Sequence, residues 1–70
     1  MRAKEQALTK REQDVARLVA QGHSNRDISR QLVITEGTAR VHVERILGKL
    51  DLHSRVQLAV WALSSGLLAT

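Results

Sequence analysis

The chain has 70 residues, and its 11 lysines and arginines against 7 aspartates and glutamates give a formal net charge of +4. This length suits one small domain, because a domain usually needs at least about 50 residues to enclose a core. The absence of cysteine excludes disulfides and thiolate metal sites. We find neither a signal-peptide pattern nor an apolar run of about 18 residues, so we expect a cytoplasmic protein without a membrane span.

A domain with this basic balance often binds a polyanion, although a need for solubility explains the same charge equally well. The sequence offers no nucleophile–base pair, carboxylate dyad or phosphate-binding loop. Its three histidines, His23, His42 and His53, lack the i, i+4 spacing of a helical zinc site. We therefore expect a protein that is not an enzyme and that binds no metal or cofactor.

Four helix-start signals divide the chain, so we predict an all-α fold, a compact four-helix domain. Residues 1–7 show no periodic pattern and are interpreted as a linker or disordered arm ahead of a domain at 8–70. The first helix is predicted near 10–21, with Thr9 as its N-cap and Glu12 completing a capping box. The other helices are predicted near 25–32, 36–50 and 55–65, after the caps Ser24, Thr35 and Ser54.

Apolar residues recur at helical spacing and mark a buried face on each of the first three helices. The predicted stripes are Val15, Leu18 and Val19, then Ile28 and Leu32, then Ala39, Val43, Ile46 and Leu50. Glu12 lies on the same side as Val15, which is unusual for a carboxylate. Either its capping role explains this place, or Glu12 pairs with a cation such as Arg55 near the core. We favour capping.

The fourth helix has apolar residues on two opposite faces. The face assigned to the core consists of Val56, Ala59, Val60 and Leu63. The face assigned to a dimer interface consists of Leu58, Trp61 and Ala62. Exposing the one aromatic residue of the chain would be costly unless another surface covered it. The alternative is that Leu67 and Leu68 at the C-terminus fold over Trp61.

The side of the third helix opposite its buried stripe combines small residues with arginines. It carries Gly37, Arg40, Val41, Glu44, Arg45 and Gly48. The major groove of B-DNA admits an α-helix, and a slim leading face lets the helix lie deep in it. Arginine can donate two bonds to guanine, valine can contact the thymine methyl, and glutamate can accept from cytosine or orient a neighbouring arginine. The residues predicted to contact bases are therefore Arg40, Val41, Glu44 and Arg45.

The short second helix, the tight turn and the longer third helix have the form of a helix-turn-helix. In this motif the second of the two helices reads bases while the first crosses the DNA backbone. Because helix N-termini attract phosphate, the predicted phosphate contacts are Ser24, Asn25, Arg26, Thr35 and Thr38. For Arg26 and Arg30, a solvated face is an equally good interpretation.

Positions spread from Leu8 to Trp61 match one known family. They are Leu8-Thr9, Arg11-Glu12, Gly22, Ser24-Asn25, Ile28, Leu32, Ile34-Thr35, Thr38, His42, Ile46, Lys49-Leu50 and Ser54-Arg55. In these residues the chain resembles the LuxR/FixJ-type DNA-binding domain, which includes the effector domains of NarL-like response regulators. The resemblance implies that the third helix enters the major groove, that the fourth mediates dimerisation, and that Arg40 and Val41 touch bases. It also implies phosphate-side positions for His42 and Lys49.

Some positions depart from the pattern of this family. Ala39 replaces a larger valine in the core, and Arg45 stands where asparagine is frequent. Asp51 replaces a glycine, although aspartate tolerates the left-handed conformation less well than glycine does. Glu44 occupies a position where some relatives carry lysine. The base preference of those relatives therefore does not transfer to this chain.

The sequence thus predicts a module that binds specific sites in double-stranded DNA. We interpret it as the output domain of a bacterial transcription regulator of the two-component type, acting as a homodimer with RNA polymerase as a further partner. A regulatory domain, which 70 residues cannot accommodate, is expected before Met1. Two alternatives remain open. One is the promoter-recognition region of a sigma factor, and the other is a helical protein-interaction module with a basic face.

Overall fold

The computed structural model describes residues 8–67, and within this range the chain forms four α-helices and no β-strand. They are α1 (Lys10–Ala20), α2 (Asn25–Leu32), α3 (Glu36–Leu50) and α4 (Arg55–Ser64). The predicted all-α fold is confirmed. The bounds of α2 and α3 are as predicted, and α1 and α4 each end one residue earlier than expected. Residues 1–7, predicted as a linker or arm, and Leu68 lie outside the described range.

Each helix begins at the hydroxyl side chain that the sequence predicts as its N-cap. The Thr9 hydroxyl accepts from the Glu12 N–H at 3.1 Å, and the Glu12 carboxylate accepts from the Thr9 N–H at 3.0 Å. Ser24 and Asp27 form the same reciprocal pair at the start of α2. The hydrogen bond from the Ser24 backbone N–H lowers the pKa of Asp27 below its usual value. Local bonds thus satisfy the N–H groups that a helix start leaves free.

One core lies between the helices. Its buried apolar residues are Leu8, Val15, Ala16, Val19, Ile28, Ala39, Val43, Ile46, Leu50 and Leu58. Leu18 and Leu32, both predicted in the buried stripes, are half-buried and pack against this core. The stripe predicted on α3 is buried along its whole length. Because α3 buries this side, its opposite side is left at the surface.

The two faces of α4 are the reverse of the prediction. Leu58 and Ala62, assigned to a dimer interface, are fully buried within the chain. Trp61 is half-buried and packs against the core. Three of the residues assigned to the core are instead exposed, namely Val56 at 72%, Val60 at 56% and Leu63 at 59%. Leu58 and Ala62 are therefore not exposed to a partner, as the predicted dimer interface requires, because they belong to the monomer core. Trp61 keeps part of its surface accessible.

The hydrogen bonds of Arg55 explain why α4 buries the face that carries Leu58. The Arg55 guanidinium donates to the Asn25 Oδ1 at 2.7 Å and to the His23 carbonyl at 2.6 Å. These two bonds hold the start of α4 against the start of α2. Leu58 lies three residues after Arg55, so it is on the same side of the helix and turns inward with it. Apolar periodicity could not choose between the two faces, because both are apolar.

The buried carboxylate of Glu12 pairs with a lysine from α3. Glu12 is 4% exposed, and its Oε1 accepts from the Lys49 Nζ at 2.7 Å as well as from the Thr9 N–H. Burial raises the pKa of Glu12, but the hydrogen bonds from Lys49 and Thr9 outweigh it and leave the pKa below its usual 4.5. The capping interpretation is confirmed. Arg55, the suggested partner, is bonded elsewhere, and Lys49 takes its place.

Among residues 8–67, two residues other than glycine adopt the left-handed backbone conformation, one shortly before α3 and one directly after it. Val33 ends α2 with a φ of 57°, and Asp51 ends α3 with a φ of 57°. The strain expected at Asp51 is therefore present. Val33 is the more demanding case, because a β-branched residue with positive φ is a genuine outlier. Its side chain is 89% exposed, so burial does not compensate for the strain.

We expect Glu12→Gln to destabilise the fold at neutral pH by about 1.5–3 kcal/mol, the range for a hydrogen bond to a charged group. Glutamine still completes the capping box, so the loss reports the Lys49 pair. Since the folded-state pKa of Glu12 lies below its usual 4.5, this stabilisation is present above that pH. It disappears as the pH falls through the folded-state pKa.

Urea unfolding at pH 7 and at pH 3 measures this difference. The gap between wild type and Glu12→Gln should be large at pH 7 and much smaller at pH 3. Asp14→Asn is the control, because Asp14 pairs with Lys10 at 3.6 Å and Arg17 at 3.2 Å on the surface. It should cost at most about 1 kcal/mol. An equal gap for Glu12→Gln at both pH values would contradict the assignment.

We expect Val33→Asn to stabilise the domain by about 1 kcal/mol, since asparagine tolerates the left-handed region and other L-residues are penalised there by roughly 1–2 kcal/mol. Val33→Thr, which keeps the β-branch and the shape, should leave the free energy of unfolding almost unchanged. Thermal and urea unfolding compare the three proteins. An asparagine variant no more stable than the threonine variant would show that Val33 is not strained.

Candidate nucleic-acid interface

The side of α3 that faces away from the core is uncovered by the rest of the described chain. The exposed residues on it are Gly37, Thr38, Arg40, Val41, Glu44, Arg45 and Gly48, which we call the α3 face. All four residues predicted to contact bases lie on it, and even the apolar Val41 is 40% exposed. The structure therefore brings these four side chains together on one accessible surface, as the sequence predicts.

The centre of the α3 face is formed by two glycines and a valine. An advance of about 100° per residue places Gly37, Val41 and Gly48 along one line, directly opposite the buried stripe. Glu44 lies on one side of this line and Arg45 on the other. Arg40 lies one turn before Glu44, at the edge of the face. The result is a narrow ridge flanked by longer charged side chains.

The fold does not require glycine at either end of this ridge. A Cβ added at Gly48 would meet no atom within 4 Å, and one added at Gly37 would lie 3.8 Å from the Thr35 Oγ1. Both residues lie inside α3, where glycine is less favourable than alanine by roughly 0.5–1 kcal/mol. Neither has a positive φ. The missing side chains leave space on the outside of the helix rather than within the protein.

The start of α2 lies against the start of α4, where Arg55 binds it, and at the other end of α2 from the turn that leads into α3. Ser24 uses its hydroxyl to cap α2, accepting from the Asp27 N–H at 3.1 Å. Asn25 is half-buried, and its side-chain oxygen accepts from Arg55. Arg26 is exposed at the surface. Of the three predicted phosphate contacts in this segment, Ser24 and Asn25 thus also have structural roles, while the Arg26 side chain extends into solvent.

The remaining predicted phosphate contacts differ in how they are held. Thr35 and Thr38 are exposed, and their hydroxyls are 2.9 Å apart in a hydrogen bond at the start of α3. His42 is half-buried, and its Nδ1 is buried without a hydrogen-bond partner among the described residues. Lys49 is bonded to Glu12 and lies at the edge of the core. Its first role is therefore to hold α3 against α1.

Sequence reasoning missed Arg55 as the residue that fixes the relative positions of α2 and α4. Its partners lie 30 and 32 residues earlier in the chain, so no local spacing indicates them. The adjacent Ser54-Arg55 pair was recognised as a marker of the family resemblance, but its role needs the three-dimensional structure. The same holds for Lys49, whose carboxylate partner is 37 residues away.

The exposed arginines of α2 and α3 have no carboxylate partner within residues 8–67. These arginines are Arg26, Arg30, Arg40 and Arg45, and each is solvent-exposed. By contrast, Lys10, Arg17 and Lys49 each lie within 3.6 Å of a carboxylate oxygen. The positive charge of α2 and α3 is therefore available to an anion. A helix dipole adds to it at the start of each helix.

The described part of the chain contains no group of three or more His, Asp or Glu side chains placed to hold a metal ion. None of its helices combines the length and the apolar character that crossing a bilayer requires. The candidate site among residues 8–67 is the exposed α3 face.

Known proteins with the same sequence features are bacterial regulators. The family described as bacterial regulatory proteins, luxR family, matches residues 6–62. The nitrate/nitrite response regulator protein NarL of Escherichia coli K12 is 54% identical over 54 residues, which are 77% of this chain and 25% of NarL. The transcriptional regulatory protein LiaR of Bacillus subtilis 168 is 44% identical over 57 residues, 81% of this chain and 27% of LiaR.

A nitrate/nitrite response regulator homolog of Haemophilus influenzae is 48% identical over 54 residues, 77% of this chain and 26% of that protein. The chain therefore spans about a quarter of the length of these relatives. The family is one of transcription regulators rather than enzymes, and the match favours a regulator over the sigma-factor and interaction-module alternatives. The chain belongs to the luxR family of bacterial regulatory proteins, and its four helices form a DNA-binding helix-turn-helix domain.

Proposed function

We propose that this domain is the output domain of a cytoplasmic two-component response regulator, with α3 in the major groove and α2 across the DNA backbone. The observation that carries this proposal is the uncovered α3 face, slim along its centre and flanked by arginines that have no carboxylate partner among the described residues. The response-regulator names of the relatives support it. The regulatory domain that controls it would lie outside these 70 residues.

Arg40, Val41 and Arg45 are proposed to read base edges. Either arginine can donate two parallel bonds to the O6 and N7 of guanine, and Val41 can pack against a thymine methyl group. The slim centre of the α3 face lets the helix backbone approach the groove floor. Glu44 is proposed as the fourth base contact.

The phosphate contacts are proposed to surround this reading surface. Ser24, Asn25 and Arg26 place the positive end of α2 and one free guanidinium beside a phosphate. Thr35 and Thr38 offer hydroxyls at the start of α3. His42 and Lys49 are proposed contacts at the flank, with Lys49 bridging between Glu12 and the DNA.

Dimerisation is proposed to use the exposed side of α4, formed by Val56, Val60 and Leu63. These three side chains are each more than half exposed and lie on one side of the helix. Such a patch fits a second copy of the same surface, as in a two-fold symmetric dimer bound to two half-sites. RNA polymerase is proposed as a further partner through a surface away from α3, to which we assign no residue.

Arg40→Ala tests the proposal. We expect it to weaken binding to the selected site by about 1–3 kcal/mol and to relax the preference at one base pair. Lys10→Ala is the control, because it removes the same charge from a side chain that is 80% exposed on α1. Selection of bound duplexes from a random pool, followed by affinity titrations at several salt concentrations, gives both quantities.

One result would contradict the proposed function, and another would contradict the role proposed for Arg40. Failure to bind any duplex even at low salt would contradict DNA binding, because several phosphate contacts should give strong affinity there. A loss that is equal for all sequences in Arg40→Ala would move Arg40 from base reading to phosphate contact.

We expect Val60→Lys to lose roughly tenfold in cooperativity on a two-half-site operator, about 1.4 kcal/mol, while affinity for one half-site is kept. A charged residue at the centre of an apolar interface is costly to desolvate. Gln21→Lys, which adds the same charge at an exposed position after α1, is the control. Unchanged cooperativity in Val60→Lys would rule out this side of α4 as the interface.

A further inference from the structure

Glu44 is a carboxylate in the middle of a surface that otherwise suits a polyanion. It is exposed on α3, one turn after Arg40 and next to Arg45. Glu12 and Asp14 each have a cation within 4.0 Å, at 2.7 and 3.2 Å respectively. Glu44 has no such partner among residues 8–67. Its carboxylate is therefore not used to orient either neighbouring arginine in the free domain.

The side chain of Glu44 extends beyond its neighbours along the ridge of the α3 face. Val41 precedes it by three residues and Gly48 follows it by four, so its neighbours along the ridge are short or absent. A Cβ at Gly48 would meet no atom within 4 Å, which means that no other part of the described chain fills this space. A carboxylate so placed would be repelled by phosphates and drawn towards hydrogen-bond donors on the groove floor.

The chemistry of a carboxylate restricts which base it can bind. An ionised carboxylate accepts hydrogen bonds and donates none. The donors on the floor of the major groove are the exocyclic amino groups of cytosine and adenine. The adenine amino group lies beside the N7 acceptor of the same base, which repels a carboxylate. Cytosine has no such acceptor in the groove, so its N4 is the better partner.

We propose that Glu44 is a specificity-determining residue that accepts a hydrogen bond from the N4 of a cytosine in each half-site. Where this cytosine is missing, its charge faces acceptors and weakens binding. The proposal rests on the proposed function, since it requires α3 to lie in the major groove. It adds to the proposed function a preference for cytosine at one position of the half-site, and it gives a reason for the negative charge at position 44 of the protein.

Selection from a random duplex pool with wild type, Glu44→Ala and Glu44→Gln tests this proposal. Wild type should select a cytosine at one fixed position of each half-site, and Glu44→Ala should lose that preference by about tenfold. Glu44→Gln should shift it towards adenine, because glutamine can bond both N6 and N7 of that base. Glu36→Gln, which removes the same charge from an exposed position at the start of α3, should leave the selected sequence unchanged.

The outcomes separate this proposal from the one on which it rests. Binding by wild type with a selected sequence that is the same in Glu44→Ala would overturn the role of Glu44 and leave DNA binding intact. An equal gain in affinity for every duplex in Glu44→Ala would also overturn it, since Glu44 would then act by repulsion alone. Absence of binding by wild type to any duplex would overturn the proposed function itself.

Discussion

The packing of one side of α3 into the core is the constraint on which the rest of the structure depends. Ala39, Val43, Ile46 and Leu50 are at most 6% exposed. A chain of this size buries a limited fraction of its surface, so it cannot cover α3 on both sides. One side of α3, the longest helix, is therefore packed in the core, and the other side is exposed to solvent. Any residue placed opposite the stripe is available to a partner.

Polar bonds hold α3 and its neighbours in place at a few points. Lys49 joins the end of α3 to the start of α1 through Glu12, and the Ile34 N–H joins the turn before α3 to the Ser29 carbonyl at 2.9 Å. Arg55 joins α4 to the start of α2. Lys49 and Arg55 are thus bonded within the domain. The exposed arginines of α2 and α3, by contrast, have no ion-pair partner among the described residues, so the net charge alone does not show which cations can bind an anion.

Helix bounds could be predicted from the sequence because caps are local, as the bonds between Thr9 and Glu12 show. The α3 face could be predicted because α3 has one apolar stripe. The orientation of α4 could not, because it has two apolar sides and the choice depends on Arg55, whose partners are about 30 residues away. The pairing of Glu12 with Lys49 could not be predicted for the same reason, because Lys49 is 37 residues away. Local sequence patterns determine where each helix begins and ends. Long-range polar bonds determine which face a helix buries when both of its faces are apolar.

Four positions in or beside α3 carry residues that disfavour the local backbone. Gly37 and Gly48 weaken the helix, and Val33 and Asp51 adopt positive φ before and after it. A domain of this size has little stability to spare, so penalties of roughly 1 kcal/mol each matter. The proposed function explains the two glycines, because a side chain at either position would widen the ridge that is proposed to enter the groove. Nothing in the structure explains the valine at position 33. Helix stability and the proposed binding in the groove thus make opposite demands on α3, and glycine at positions 37 and 48 suits the proposed binding at a cost in helix stability.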